Sequence, residues 1–378
     1  MDKDIKQLFP ESYEASRQDF LSNFEPIRAL WSNAQQHRYP LPGSEELSID
    51  WISADPEVAF DKLFVFTTGQ HGIEAYVGEA ILRKFIDKYL KELNPKKTGL
   101  LIVHCINPWG MVQNRRSNAN NVDLNRNFVH DDKDLDPTLN QDYTELINLM
   151  RPEGAIENWY SSNLRFFIRL LLGVIRIGAV KLQEAALSGQ YQYPKGIYYG
   201  GDKIQDVTRV LIDLYREKLR HYKRILHLDM HTGYGPRYQM SLVISSLEPR
   251  DSRELECLYG YPRIVKSNPE EFYMIRGDML DYLYKFVQIN FPDKKLSAMA
   301  FEFGTYGDSL WQGIRSLRAM IFENQLYWHG ASNTTLRQRI ERDFRELYIP
   351  DEEHWRVKAI TDADQAFEGI LHAEGFIT

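Results

Sequence analysis

Four short segments of this 378-residue chain carry side chains that could act together in hydrolysis: Gly69-Gln70-His71-Gly72-Ile73-Glu74, Asn121-Val122-Asp123-Leu124-Asn125-Arg126-Asn127-Phe128, Asp229-Met230-His231-Thr232-Gly233 and Phe301-Glu302-Phe303-Gly304. His71 and Glu74 stand in an H-x-x-E spacing. Catalytic zinc is commonly held by two His and one Glu with the fourth position open to water, and ligands three residues apart across a turn-to-helix junction can face one ion. Alone, the spacing also fits a helix N-terminus where Glu74 favours the positive end of the dipole. His231 is the best third ligand, because it ends a strand and opens the turn Thr232-Gly233-Tyr234-Gly235. His227 and His104 lie inside strands, where histidines satisfied by the core are the rule. Asp229 shares a strand face with His231, either as an outer carboxylate holding that histidine or as a buried, hydrogen-bonded Asp.

The other candidates are donors and a base. Asn125-Arg126, with Arg116 upstream, offers planar groups of the kind that recognise a carboxylate through paired hydrogen bonds; an ordinary surface turn would read the same way. Glu302 ends its strand between Phe301 and Phe303, so desolvation should raise its pKa toward the range of a general base acting near neutral pH. A buried structural Glu paired with an Arg is the alternative for that segment alone.

These residues need elements to bring them together across more than 230 positions. Short apolar runs precede the motifs: Leu63–Thr67 before His71, Leu100–Ile106 before Asn107-Pro108-Trp109-Gly110, Ile225–Leu228 before His231, and Met299–Phe301 into Glu302. Such runs are the mark of buried strands in a mostly parallel sheet, and ligands collect outside the carboxyl ends of such strands. The block 73–93 predicts an amphipathic helix, with Val77, Ile81 and Phe85 in one i, i+4 series. The expected fold is α/β: a single domain over 1–378 with a mixed, mostly parallel sheet flanked by helices. Its core spans about 45–330, with a helical lead-in over 1–40 and a charged helical tail over 331–378. The aromatic loop 189–201 either lines a pocket or packs as a surface turn.

Composition limits the alternatives. A net charge of -7, from 46 basic and 53 acidic residues, argues against a general nucleic-acid binder. The charged opening Met1-Asp2-Lys3-Asp4 is followed by no apolar signal region, and two cysteines, Cys105 and Cys257, suit a reducing compartment, so a cytoplasmic chain is expected. The most apolar stretch, Phe166–Val180, is interrupted by Arg169 and Arg176 and is short for a bilayer. It predicts a core or interface helix, with peripheral membrane contact as the alternative.

The joint pattern of His71-x-x-Glu74, Val122-Asp123-Leu124-Asn125-Arg126-Asn127-Phe128, His231 and Glu302 resembles the zinc metallocarboxypeptidases of the carboxypeptidase A type over residues 60 to 310. The resemblance implies one zinc ion per chain held by His71, Glu74 and His231. It implies Arg116 as the group polarising the carbonyl, Asn125 and Arg126 on a substrate carboxylate, Glu302 as general base, and Asp123 hydrogen-bonded to the first zinc histidine. Asn107-Pro108-Trp109-Gly110, Asp123-Leu124-Asn125-Arg126 and Asp229-Met230-His231-Thr232 look closer to the acylase branch, which includes aspartoacylase and succinylglutamate desuccinylase, and to bacterial carboxypeptidase-like proteins. No secretory or pro-segment like that of digestive carboxypeptidases is evident. Four tyrosines, Tyr273, Tyr282, Tyr284 and Tyr306, compete for the family's substrate-capping position. The expected function is zinc-dependent cleavage of an amide bond next to a free carboxylate, by a metallocarboxypeptidase acting on peptides. An N-acyl amino acid deacylase is the alternative on the same site. A non-catalytic zinc or peptide binding protein is the alternative from another class, and Glu302 argues against it. No nucleic-acid partner and no transmembrane segment are expected, and no protein partner can be inferred from the sequence.

Overall fold

The computed structural model describes residues 5–268 and 275–378. Eight strands, β1 (Gln35–Pro40), β2 (Ser48–Ala54), β3 (Lys62–Thr68), β4 (Thr98–His104), β5 (Arg224–Thr232), β6 (Met240–Ile244), β7 (Ile264–Lys266) and β8 (Lys295–Phe303), form one sheet in the order β1-β2-β4-β3-β5-β8-β6-β7. The central four, β4-β3-β5-β8, are parallel. β1 and β2 add antiparallel strands at one side, and β6 returns antiparallel to β8 at the other. The sheet is therefore mixed and mostly parallel, as the apolar runs predict. The chain leaves β3 toward β4 on one side and later reaches β5 on the other, so the carboxyl ends of β3 and β5 flank a topological switch point, where open α/β sheets bind ligands.

Alternate residues of the central strands enter two cores, one on each face. Phe64, Phe66, Leu226, Leu228, Met299 and Phe301 face one core; Leu63, Val65, Ile225, Ala298 and Ala300 face the other. Helices of eight or more residues are α1 (Tyr13–Ser22), α2 (Ala75–Lys88), α3 (Trp159–Ile177), α4 (Ala179–Leu187), α5 (Asp206–Leu219), α6 (Ser252–Tyr259), α7 (Met279–Asn290), α8 (Leu310–His329), α9 (Thr334–Tyr348) and α10 (Glu353–Ala373). α5 and α7 cover the second face, while α2, α8, α9 and α10 cover the first. The predicted helix begins with a 3-10 turn at Gly72–Glu74 before α2, and Val77, Ile81 and Phe85 are fully buried.

Two expectations change. The lead-in read as helical to residue 40, but its last six residues are the edge strand β1, with His37 stacked on Trp51 of β2 at 5.1 Å. An edge strand that is half exposed and ends in Pro40 lacks the apolar run that betrays a buried one. The charged tail is also built into the core. Phe367 of α10 packs on Phe66, Phe85 and Phe301, and Trp355 is buried with its indole N–H donating to the Gly304 carbonyl at 2.7 Å.

Candidate metal centre

His71 leaves β3 through Gly69 and Gln70 and caps the 3-10 turn that carries Glu74. Gly72 is required there: a Cβ would lie 2.2 Å from the carbonyl carbon of Gly110. His231 is the penultimate residue of β5, and Glu302 is its register partner on β8. The donor atoms of His71, Glu74 and His231 lie within 4.8 Å of one another, and all three residues are buried. The two imidazoles present Nδ1 to the same point, 3.2 Å apart. Glu74 reaches both, with Oε1 at 3.0 Å from His71 Nδ1 and Oε2 at 3.2 Å from His231 Nδ1.

The outer nitrogens are held by carboxylates. His71 Nε2 donates to Asp123 Oδ1 at 3.1 Å, and His231 Nε2 donates to Asp229 Oδ2 at 2.6 Å. With both Nε2 atoms turned to carboxylates, the two Nδ1 atoms and the Glu74 oxygens converge on one point, the place for a cation or for the proton that, against burial, Asp229 and Glu74 favour on His231. Nitrogen donors on a tetrahedral zinc at about 2.0–2.1 Å stand roughly 3.3 Å apart, which the observed separation matches. Orienting carboxylates behind each histidine are the usual support of a metal-ligating imidazole. The donor set therefore fits a zinc ion.

Arg116 ties the centre together, its Nη1 donating to Glu74 at 3.1 Å and its Nε to Asp123 at 2.9 Å. Burial works against the charge on Glu74, but His71, His231 and Arg116 outweigh it and hold the carboxyl well below its ordinary range. Asp123 is held low in the same way by Arg116, Arg126 and His71. Glu302 differs: burial pushes its pKa up to about 7, against the opposing pull of His231. It stays half-buried with a face on the cavity, and Oε1 accepts the backbone N–H of Tyr234 at 3.0 Å. Gly304, two residues on, allows the crossing of the Pro236 carbonyl, which a Cβ would meet at 2.0 Å.

A cavity of about 730 Å³ opens from these groups. His71, Arg116, Asn125, Asp229, His231 and Glu302 line its polar end. Leu170, Val174, Leu182 and Leu187 of α3 and α4 line the other end with Ile314, Leu317 and Met320 of α8. The sequence gives no hint of this apolar chamber, because its walls come from segments more than 120 residues apart.

The second expected anchor lies elsewhere. Arg126 is fully buried outside the cavity lining, its Nη1 donating to the Asn125 carbonyl at 2.9 Å and its Nη2 to the Leu187 carbonyl at 2.7 Å. Its Nε has no hydrogen-bond partner among the described residues. Asn125 does reach the cavity, but its Oδ1 accepts from Gln70 and from the Met279 N–H, both at 3.1 Å. The fork expected from Asn125 and Arg126 is thus divided, because the end of α4 lies over Arg126 and the Leu187 carbonyl takes one of its N–H groups. Arg116 is the only Lys or Arg lining the cavity among the described residues.

The tyrosines also change. Tyr273 lies outside the described residues. Tyr282 and Tyr284 are buried in the opposite core, and Tyr306 donates to the Asp343 carbonyl at 2.6 Å; none lines the cavity. Tyr198, Tyr234 and Tyr348 do. Tyr198 comes from the 189–201 loop, which the sequence leaves open between a pocket wall and a surface turn. Tyr234 follows His231 closely enough to have been suspected. Tyr348 ends α9, in a tail without any motif.

The sheet and the buried two-histidine, one-glutamate cluster define an α/β protein with a candidate mononuclear metal centre at its switch point. The family model described as protein of unknown function (DUF2817) matches residues 9–362, and the chain belongs to that family. No curated protein matches it in sequence. Among solved structures it is similar to bovine thrombin-activatable fibrinolysis inhibitor in complex with tick carboxypeptidase inhibitor, at 14% identity and TM-score 0.45 over 96% of this chain and 98% of that one. It is also similar to the carboxypeptidase A from Helicoverpa armigera, at 15% identity and TM-score 0.45 over 92% and 80% of the two chains. An aspartoacylase family protein from Mesorhizobium loti matches at 15% identity and TM-score 0.37, over 80% and 69%.

Proposed function

We propose that this protein is a zinc-dependent hydrolase of amide bonds, with His71, Glu74 and His231 as the metal ligands. The observation that carries the reading is the convergence of three buried donors beside Glu302 at the polar end of one cavity. Zinc held there supplies Lewis-acid polarisation of a carbonyl and lowers the pKa of water. Glu302 takes the proton of the attacking water and delivers it to the leaving amine, a task suited to a carboxyl with a pKa of about 7. Arg116 supports the oxyanion from Nη2, which neither Glu74 nor Asp123 engages. Asp123 and Asp229 keep the imidazoles in the tautomer that leaves Nδ1 free to ligate.

The first reading of the substrate is a peptide with a free terminal carboxylate. With Arg126 turned onto the Leu187 carbonyl, Arg116 and Asn125 are the groups left to meet that carboxylate. The second reading is an N-acyl amino acid, which the apolar lining from α3, α4 and α8 favours because an aliphatic acyl group is buried there at a gain of about 0.8 kcal/mol per methylene. We further propose that the chain is one domain, since the tail helices complete the core, and that it works in a reducing compartment, since buried Cys105 and exposed Cys257 form no disulfide.

The test is hydrolysis by the zinc-loaded chain of dipeptides, N-acetyl, N-succinyl and long-chain N-acyl amino acids, and C-terminally amidated controls. Cleavage of dipeptides in preference to acyl amino acids selects the peptidase, and the reverse selects the deacylase. Zinc binding with no hydrolysis of any member would overturn the enzyme reading and leave a zinc or peptide binding protein.

A further inference from the structure

The stretch predicted to be a core or interface helix is only half covered. Helix α3 buries Ser162, Phe166, Leu170 and Gly173 against the body of the protein. Its outer side exposes Tyr160, Leu164, Ile168, Leu171, Leu172 and Ile175, the last with 72% of its surface open. At about 100° per residue these six fall in one sector of roughly 120°. The three arginines of the helix, Arg165, Arg169 and Arg176, occupy the sector beside it, and the helix contains no acidic residue. Arg176 pairs with Glu145. Arg165 and Arg169 have no carboxylate partner among the described residues.

The apolar surface continues onto α8. Trp311 is 61% exposed and stacks on Phe167 at 5.8 Å between ring centroids. Leu310 is 81% and Val180 is 71% exposed, and both also line the cavity. The chamber that leads to His71 and Glu302 therefore opens within this patch.

We propose that the outer face of α3, with Val180, Leu310 and Trp311, docks on an anionic lipid bilayer and sets the cavity mouth against the membrane. An amphipathic helix with a wide apolar face, flanking arginines and an adjoining tryptophan has the composition of a helix lying in the interfacial plane. Charge decides between occupants. The same helix of a second copy, which has no acidic residue, offers Arg165 and Arg169 no carboxylate, whereas lipid phosphates complement them. The chain as a whole, these arginines included, has a net charge of -7, so the same bilayer repels its other surfaces and contact is confined to this face. Among the described residues no helix is long and apolar enough to cross a membrane, which suits a protein that lies on the surface.

Flotation of the purified full chain with phosphatidylglycerol-rich vesicles and with pure phosphatidylcholine vesicles tests this without reference to catalysis, so its failure leaves the hydrolase reading standing. Wild type should float with the anionic vesicles, and less so as salt rises. The Leu171→Glu/Ile175→Glu variant should lose binding by roughly tenfold or more, since carboxylates resist burial in the interface. Arg165→Ala/Arg169→Ala should weaken it with the helical circular dichroism unchanged. Equal flotation of wild type and the Glu variant, equal flotation with both vesicle types, or no flotation with either overturns the proposal. So does a wild-type dimer in light scattering that Leu171→Glu/Ile175→Glu dissolves, with no vesicle binding.

Discussion

His231 and Glu302 are register partners on the adjacent parallel strands β5 and β8, so the two side chains leave the sheet together at its carboxyl edge. That pairing puts a candidate ligand and a candidate base beside one another without help from any loop. His71 and Glu74 meet them from the β3–α2 junction, where Glu74 Oε2 also accepts the Thr232 N–H at 3.0 Å. The centre is thus fastened to three strands.

One zinc ion per chain is expected from this arrangement. His71→Ala and His231→Ala should each lower zinc content, measured by elemental analysis of the dialysed protein, to a small fraction of wild type. Chelation should reduce the wild-type Tm, because a ligand bound only by the folded state stabilises it. Full occupancy in both variants would remove these residues from the ligand set.

Glu302→Gln should keep its zinc and lose about 10² to 10⁴-fold in kcat, the range for a positioned acid/base group. The amide keeps the shape of the side chain and the hydrogen bond from Tyr234 while removing basicity. Unchanged turnover would make Glu302 a structural residue.

Arg116→Ala should cost about 10² to 10³-fold in kcat if Nη2 serves the oxyanion. The same change leaves the buried Glu74 and Asp123 short of a partner, so a lower unfolding midpoint is expected beside it. Steady-state kinetics with denaturation curves separate the two effects, and wild-type kcat in a destabilised variant would assign Arg116 to structure alone.

Val174→Trp should narrow the chamber between α3 and α8. The KM for long-chain N-acyl amino acids should rise by roughly tenfold or more while that for N-acetyl substrates changes little, because each buried methylene contributes about 0.8 kcal/mol. An equal effect on both would show that acyl groups do not enter the chamber.

Glu79 carries the clearest pH signature away from the centre. Both its carboxylate oxygens are buried without a hydrogen-bond partner among the described residues, and burial raises its pKa from 4.5 to about 8. A raised folded-state pKa contributes stability that is fully present below 4.5 and is lost as pH rises through about 8. The loss amounts to about 1.4 kcal/mol per pH unit within that window. Glu79→Gln should flatten this part of the profile and be the more stable protein at alkaline pH. Urea unfolding across the window checks it, and parallel profiles for the two proteins would refute it.

Much of the centre was legible in the chain because its parts are local. An apolar run followed by a polar residue marks a strand end, and strand ends of a parallel sheet face one edge, so His71, His231 and Glu302 could be placed together before any coordinate. The two-residue period of β5 put Asp229 on the face of His231 but left open whether it holds that histidine, while the contact of Asp123 with His71 came by resemblance. The edge strand β1 was not legible, because one solvated side and a terminal Pro40 remove the pattern that identifies buried strands.

The sequence by itself determined which side chains could form the centre and what chemistry they share, because residue type and strand-end position follow from short stretches of chain. Tertiary structure alone decided that Arg126 turns to the Leu187 carbonyl, that Tyr348 from the tail enters the cavity, and that α3 closes an apolar chamber with one face left bare. Where a buried guanidinium points depends on which distant carbonyls compete for its N–H groups. Which face of a helix stays in solvent depends on what else packs nearby. Both are properties of contacts across the fold, and nothing in the local pattern encodes them.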